Sequence, residues 1–522
     1  AALEGQPQVL CADLPAFAPS LMPEELRSRS LLSFLRSLPL WLGPLVAAAA
    51  VRLWGLGSRS LWVDEAFAAG LVDRSFGEIV SMSLAGSPHP PLAFFFIKLS
   101  SVLFGGTEAG LRALPLAFSV LTILPLFSLV SRWVGRRGAF WAATAWALAP
   151  FAVSLGQEAW LYSQMAFLTF LLMDLCDRAW RGNRRALVFA VLTAAAGMAT
   201  NALFAVSVIL AWLLRLPAAG FRRPAAPLLA LFAVVLLTLP VTLRTAEQAS
   251  LRRQRLEAAG FFQETPSRIV VGSLEVFSSL IPDGLSPPVS RASLVRPRNA
   301  AFVAGFLLLQ LAGVAALLAD RRIAPRYRAW AVAAVVLPLG SFLFDWPTVR
   351  HLAVLWVPLA LSLGALASRW SPAGPLIALA SAVPLVSYMK TDTYPYHRSD
   401  WRAAVRFVEE NLGCGDAVLV AGGQSGGIAY EYYRNNDAPY ASACAADPYA
   451  VQPVRPSIDV EGMLDSLLVL YPRVWIISDF WGGRTALEIA GGRTILMHRW
   501  VSPASEVVLV APAPGEQAGG GT

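Results

Sequence analysis

Charge is scarce in this sequence: 15% of its 522 residues are Asp, Glu, Lys or Arg, against 56% hydrophobic. A water-soluble chain carries about 25% charge, so most of this one must be solvated by something other than water. The mean hydropathy of +0.55 agrees. Lysine is nearly missing, with Lys98 and Lys390 alone, so the formal charge of +8 is carried by arginine. The arginines fall in short clusters between apolar runs. That placement sets aside a nucleic-acid groove and points to membrane topology. Cysteine is rare too. Cys11, Cys176, Cys414 and Cys444 have no CxxC spacing, which excludes the usual zinc and dithiol motifs. Residues 1–37 contain no apolar run followed by a small-residue cleavage site, so the expectation there is a cytoplasmic tail and not a signal peptide.

Long apolar runs are what the chain has in abundance. Candidate spans lie near 38–56, 112–131, 138–155, 162–177, 186–200, 202–214, 225–243, 300–319, 329–344, 352–368 and 374–390. Most approach the roughly 17–25 residues that cross a bilayer. Alternate connections hold Arg132, Arg136 and Arg137; Arg178, Arg181, Arg184 and Arg185; Arg215, Arg222 and Arg223; Arg321, Arg322, Arg326 and Arg328; and Arg369. The connections around 156–161, 199–202 and 345–349 hold neither Lys nor Arg. This alternation assigns the first set to the cytoplasm. The apolar run 90–104 breaks the pattern if it crosses. It is short, carries Lys98 and follows His89, Pro90 and Pro91, so it reads as a helix lying in the outer interface. Two large external loops result, 57–111 and 244–299, and the odd number of crossings exports the C-terminus. The expected fold is an α-helical polytopic membrane protein of about eleven transmembrane helices over 38–390.

From 391 to 522 the pattern changes. A helix is expected at 400–412, strands at 417–421, 473–478, 494–497 and 506–511, and helices near 426–434 and 461–469. Alternating helices and buried strands indicate a small soluble α/β domain, ending in a tail rich in Gly and Pro. Cys414 and Cys444 both lie in it. A disulfide between them can persist outside the cytoplasm; two free thiols is the other reading. The glycine-rich stretch 422–427 lacks the G-x-G-x-x-G spacing and reads as a structural turn.

The residues that carry chemistry gather at the expected external edge. Leu61-Trp62-Val63-Asp64-Glu65 follows the first span. Adjacent carboxylates there must be hydrated, paired or used; the structural alternative is a helix start, with Asp64 as cap and Glu65 favoured by the helix dipole. Further motifs follow in order: Pro88-His89-Pro90-Pro91-Leu92, Leu111-Arg112-Ala113-Leu114-Pro115, Gly156-Gln157-Glu158-Ala159-Trp160-Leu161-Tyr162, Arg350-His351-Leu352 and Asp400-Trp401-Arg402.

This ordered set resembles the GT-C glycosyltransferases that use polyprenyl-phosphate sugars. The nearest branch is the bacterial one related to protein O-mannosyltransferases and to the transferases that place aminoarabinose on lipid A. That branch shows W-x-D-E, H-P-P-L, L-R-x-P, Q-E-A-R-x-Y and R-Y-L in the same order, often with a following D-W-R. Each motif is weak alone, and the order with consistent sidedness is the specific signal. This chain departs twice. Trp160 stands where the branch usually has Arg, and His351 where it has Tyr.

The resemblance implies an inverting transferase at the outer face of a bacterial cytoplasmic membrane. Its partners are a polyprenyl-phosphate sugar donor, a lipid, glycan or protein acceptor, and possible further subunits. A lipid phosphate is already a good leaving group, so the demands are a base for the acceptor and a clamp for growing phosphate charge. Asp64 is the expected base. Glu65 orients it or meets donor sugar or acceptor. Arg350 is the expected phosphate clamp, with His89 and Arg112 as secondary candidates. Gln157, Glu158 and Tyr162 are expected to line the sugar or acceptor cavity.

Each residue has a structural alternative. Arg350 can snorkel at a helix end, His89 can cap an interfacial turn, and Tyr162 can be packing. Arg112 can be a buried partner of Asp64 or Glu108. No cofactor is required; a divalent metal between Asp64 and Glu158 is the minor reading, since hard metals want more oxygen ligands. The rival functions are a non-catalytic scaffold of the same fold, suggested by Trp160, and a transporter, which the lack of internal repeats disfavours.

Overall fold

The computed structural model describes residues 38–85, 89–213, 297–319, 356–389, 399–421, 423–436, 452–453, 460–479, 485–502 and 505–513, with scattered positions in 234–251. Helix α1 is Leu42–Leu53. Three short helices follow before the next long one: α2 (Val63–Ala69), α3 (Phe76–Ala85) and α4 (Leu92–Phe104). Then come α5 (Glu108–Leu121), α6 (Ile123–Val134), α7 (Arg136–Leu148), α8 (Pro150–Gly156), α9 (Tyr162–Trp180), α10 (Arg184–Thr200) and α11 (Phe204–Leu213). The bundle is completed by α12 (Pro297–Ala319), α13 (Trp356–Arg369) and α14 (Ala373–Met389).

Among the described residues, α5 and α6 form one apolar helix of 27 residues, Glu108–Val134, long enough to cross a membrane. At a rise of 1.5 Å per residue it reaches ~40 Å. Helices α7 and α8 are together long and apolar enough to do the same but bend by 61° at their junction. Pro150 explains the break, because it has no N–H to continue the ladder and forces Ala149 into extended backbone. Helix α4 is 13 residues, or ~20 Å, short of the ~30 Å hydrocarbon core. Helix α1, at 12 residues, is no longer, so length alone does not separate the expected first span from the expected interfacial helix. The expected span 329–344 lies outside the described residues, as does most of 225–243.

Close approach of helices depends on small residues here. A Cβ on Gly138 of α7 would stand 2.5 Å from the carbonyl oxygen of Gly364 in α13, and one on Gly364 would stand 2.9 Å from Val130. Trp146 and Trp356 meet edge to face at 5.1 Å in the same core. At one end of the bundle Arg132 bonds Asp174 at 2.6 Å and Asp177 at 2.7 Å, while Arg178 and Arg181 reach back to the same two carboxylates. This is the arginine-rich end. Arg112, ~30 Å back along the same long helix, marks the other.

The C-terminal segment folds as expected into an α/β layer. It contains α15 (Trp401–Asn411), β1 (Asp416–Val420), α16 (Gly423–Asn436), β2 (Gln452–Pro453), α17 (Val460–Leu470), β3 (Arg473–Asp479), α18 (Ala486–Ala490), β4 (Thr494–Ser502) and β5 (Ser505–Ala511). The sheet order is β2-β1-β3-β5-β4, parallel among the first three and antiparallel thereafter. Strands β1 and β5 are buried along nearly their whole length, which is why they read as continuous apolar runs. The two-residue β2 left no such signal. Cys414 is disulfide-bonded; Cys444 lies outside the described residues. Trp401, Ala404, Val405, Val408, Tyr430 and Tyr433 join one apolar core with the helical bundle.

Candidate active site

The first turn of α2 places the two expected carboxylates. Trp62 is the N-cap, with extended backbone at φ −97° and ψ 175°, so Asp64 falls at the second helical position and Glu65 at the third. Asp64 is therefore not the cap that the structural alternative supposed. The N-cap N–H of Trp62 donates to Glu65 Oε2 at 3.4 Å, which is half of a capping box. Successive helical residues point ~100° apart. The two acids thus face different surroundings.

Glu65 faces inward. Arg112 Nε donates to its Oε1 and Nη2 to its Oε2, both at 2.8 Å, and the backbone N–H of Ala159 adds a bond to Oε1 at 2.7 Å. Glu65 is thus a bidentate partner of Arg112. Arg112 Nη1 also donates to the carbonyls of Leu56 at 2.8 Å and Arg59 at 2.9 Å, and Nη2 to that of Ser60 at 3.0 Å. A buried ion pair tolerates its desolvation when further hydrogen bonds satisfy it, as these do. One salt bridge joins α2, α5, the 56–60 loop and the 157–161 turn. Asp64, by contrast, is half-buried.

Gln157 is held as firmly. Its Nε2 donates to the carbonyls of Arg52 at 3.1 Å and Trp54 at 2.7 Å, and its Oε1 accepts from Tyr388 Oη at 3.0 Å. Arg59 lies over the Tyr388 ring at 4.2 Å and donates to its carbonyl at 3.1 Å. Below the turn, Arg52 donates to Ser119 Oγ at 2.7 Å and to the carbonyls of Ala147 at 2.9 Å and Trp146 at 3.2 Å. Arg52 therefore caps the carbonyl end of α7 at its bend. A cation inside an apolar span was a readable signal of a special site. Tyr388 gave none.

The aromatic side of the site links α2, α4 and the 157–161 turn. Phe67 meets Phe94 at 5.8 Å, Phe94 meets Trp160 at 5.6 Å, and Trp160 meets the half-buried His89 at 5.3 Å, all edge to face. Glu158 and Tyr162 are buried in the same turn and at the start of α9. The structure thus brings together Asp64, Glu65, Arg112, Gln157, Glu158 and Tyr162, with His89 beside Trp160. Arg350 lies outside the described residues. Among the described residues no three His, Cys, Asp or Glu side chains form a metal-holding group.

Residues 88–243 match the model of a family described as dolichyl-phosphate-mannose-protein mannosyltransferase. The chain resembles the glycosyltransferases that use lipid-linked sugars. The matched stretch holds His89, Arg112, Gln157, Glu158, Trp160 and Tyr162 and leaves Asp64 and Glu65 just upstream. No curated protein sequence matches the chain. Among solved structures, apo ArnT from Cupriavidus metallidurans is similar at 15% identity and a TM-score of 0.45, over 90% of this chain and 97% of that one. The Archaeoglobus fulgidus oligosaccharyltransferase in its apo form is similar at 16% identity and a TM-score of 0.49, over 92% and 75%. Arabinofuranosyltransferase AftD from Mycobacteria gives 17% identity and a TM-score of 0.46, over 91% of this chain and 40% of that one.

Proposed function

We propose that this chain is an inverting membrane glycosyltransferase that moves a sugar from a polyprenyl-phosphate carrier to an acceptor on the outer side of a bacterial cytoplasmic membrane. The observation that carries this reading is the division of labour in one helical turn. Glu65 is locked to Arg112 and Ala159, while its neighbour Asp64 is half-buried on another face of α2. Asp64 takes the proton from the acceptor hydroxyl or amine as that group attacks the anomeric carbon, and the lipid phosphate departs with the bonding pair. Glu65 and Arg112 position it. Arg112 has its N–H groups directed at Glu65 and three carbonyls, so in this reading the phosphate clamp passes to Arg350, with His89 at the near side. Glu158 lines the cavity, and Gln157 and Tyr162 shape it. No metal or other cofactor takes a step in this scheme.

The family match over 88–243 supports a polyprenyl-phosphate donor. The alternation of arginine-rich and arginine-free connections supports about eleven crossings with the N-terminus inside. A disulfide at Cys414 supports an exported α/β domain, since such bonds persist in oxidising compartments. The test is release of polyprenyl phosphate by the purified protein from a panel of polyprenyl-phosphate sugars, with Asp64→Asn as the paired variant.

Trp160 favours a second reading, a non-catalytic assembly subunit. It is buried in the aromatic row between Phe94 and His89, where the resembling branch has a cation. The same assay separates the two readings, because a scaffold gives no release with any donor.

A further inference from the structure

The α/β layer does more than stand beside the bundle: two of its helices hold the segment that leads into α2. Tyr433 of α16 is 1% exposed. Its hydroxyl accepts the backbone N–H of Leu61 and the Ser60 hydroxyl, the latter at 3.3 Å, and donates to Glu108 Oε1 at 3.1 Å. Arg402 of α15 donates through Nε to the same Glu108 oxygen at 3.1 Å, through Nη1 to the carbonyl of Ser58 at 3.1 Å and through Nη2 to that of Gly57 at 3.1 Å. Its own backbone N–H bonds Ser60 Oγ at 3.1 Å. At the far end of α2, a Cβ on Gly70 would stand 2.8 Å from Ile428 Cγ2, so α16 runs flush along the helix.

We infer that Tyr433 is a positioning residue for Asp64, acting through the N–H of Leu61 three residues upstream. The inference rests on Asp64 as the base. Residues entering a helix have N–H groups that neither helix nor strand satisfies, and Leu61 is fully buried. Tyr433 supplies its acceptor. Glu108 fixes the direction of the hydroxyl by taking its proton, and Arg402 holds Glu108. The carboxylate of Asp64 is thereby set by the C-terminal domain on one side and by the Glu65 and Arg112 pair on the other.

The test compares Tyr433→Phe with Tyr432→Phe in the full-length protein in nanodiscs. Tyr432 neighbours it on α16 and donates to the carbonyl of Gly106 at 2.8 Å, so each variant loses one hydroxyl from the same interface. Displacing a reacting group by a fraction of an ångström predicts about a tenfold fall in kcat for Tyr433→Phe. Donor KM stays within about twofold, because ground-state binding is untouched. The acid limb of its pH–rate profile shifts, and Tyr432→Phe turns over as the wild type does. Wild-type kcat in Tyr433→Phe, or equal losses in both variants, overturns the inference. Amide hydrogen exchange over residues 57–66 reads the same contact without turnover: faster in Tyr433→Phe alone supports it, and no difference between the variants overturns it. Full transfer by Asp64→Asn, or none by the wild type, strikes the base assignment, and the exchange result still decides whether Tyr433 holds the segment.

Discussion

The Glu65 carboxylate and the Arg112 guanidinium meet edge to edge at 2.8 Å on both sides, and neither side chain is more than 1% exposed. Their positions are 47 residues apart in sequence, and two separate backbone segments, 56–62 and the turn at Ala159, hang from the pair. Arg112→Met leaves a buried carboxylate without its cation, a loss of about 3–5 kcal/mol by comparison with other broken buried pairs. The expected outcome is a large fall in thermal midpoint in detergent. The double variant Glu65→Gln with Arg112→Met recovers part of that loss, because no buried charge remains. A double variant no more stable than the single one contradicts the pairing.

Gln157 carries a related expectation. Gln157→Leu removes the acceptor of the Tyr388 hydroxyl proton and the donor to the Arg52 and Trp54 carbonyls. Each unsatisfied buried group costs about 1–3 kcal/mol. Tyr388→Phe loses one of these bonds and also the hydrogen bond that its hydroxyl accepts from Arg59 Nη1. Thermal midpoints are expected to fall in both, further in Gln157→Leu, with donor affinity in the surviving protein unchanged. A change in donor affinity without a change in stability returns Gln157 to the sugar cavity.

Gly138→Val tests the contact between α7 and α13. A side chain at 2.5 Å from the Gly364 carbonyl must push the helices apart, and overpacking of this kind costs about 1–3 kcal/mol or more. Gly135, beyond the end of α6, has no atom of the described residues other than its chain neighbours within 4 Å of where its Cβ would stand, but its φ is +91°. Gly135→Ala is therefore expected to cost about 1–3 kcal/mol from backbone strain alone. Thermal midpoints should fall below the wild type in both variants, and an unchanged midpoint in either contradicts its contact or strain.

Two buried tyrosines set an alkaline limit. Burial, then the neighbouring Glu409 carboxylate, pushes the Tyr430 hydroxyl above its ordinary value of 10.0. Burial, then Glu108, does the same for Tyr433. The folded form keeps both protons at a pH where the unfolded chain releases them. Their contribution is complete below about pH 10 and is lost as the pH rises beyond it. Thermal midpoints taken from pH 8 to 11 are expected to fall above the ordinary tyrosine range, and Tyr430→Phe to fall less steeply there. An identical slope in that variant contradicts the assignment.

Much of the fold was legible because periodicity and turn chemistry report local structure. The strands Asp416–Val420, Arg473–Asp479 and Ser505–Ala511 and the helix Trp401–Asn411 fall where apolar runs and Asp400 predicted them. The contacts that tie Glu65, Arg112 and Gln157 into a network were not legible in the sequence. Nothing in the spacing says that Arg112 meets Glu65, that Gln157 meets Tyr388, or that Arg402 meets Glu108. Those contacts are made across 47, 231 and 294 positions, and tertiary packing alone selects them. Motif reading assigns Arg112 to a phosphate because a cation near an expected donor site invites it; the surrounding carbonyls of Leu56, Arg59 and Ser60 become visible only in three dimensions.

The most direct test of the account is release of polyprenyl phosphate from labelled polyprenyl-phosphate sugars by the wild type and by Asp64→Asn, measured beside their thermal midpoints. The account predicts release by the wild type, loss of it in the variant by about 100-fold or more, and midpoints that agree. Equal release by the two proteins contradicts Asp64 as the base, and no release by the wild type from any donor contradicts the transferase reading itself.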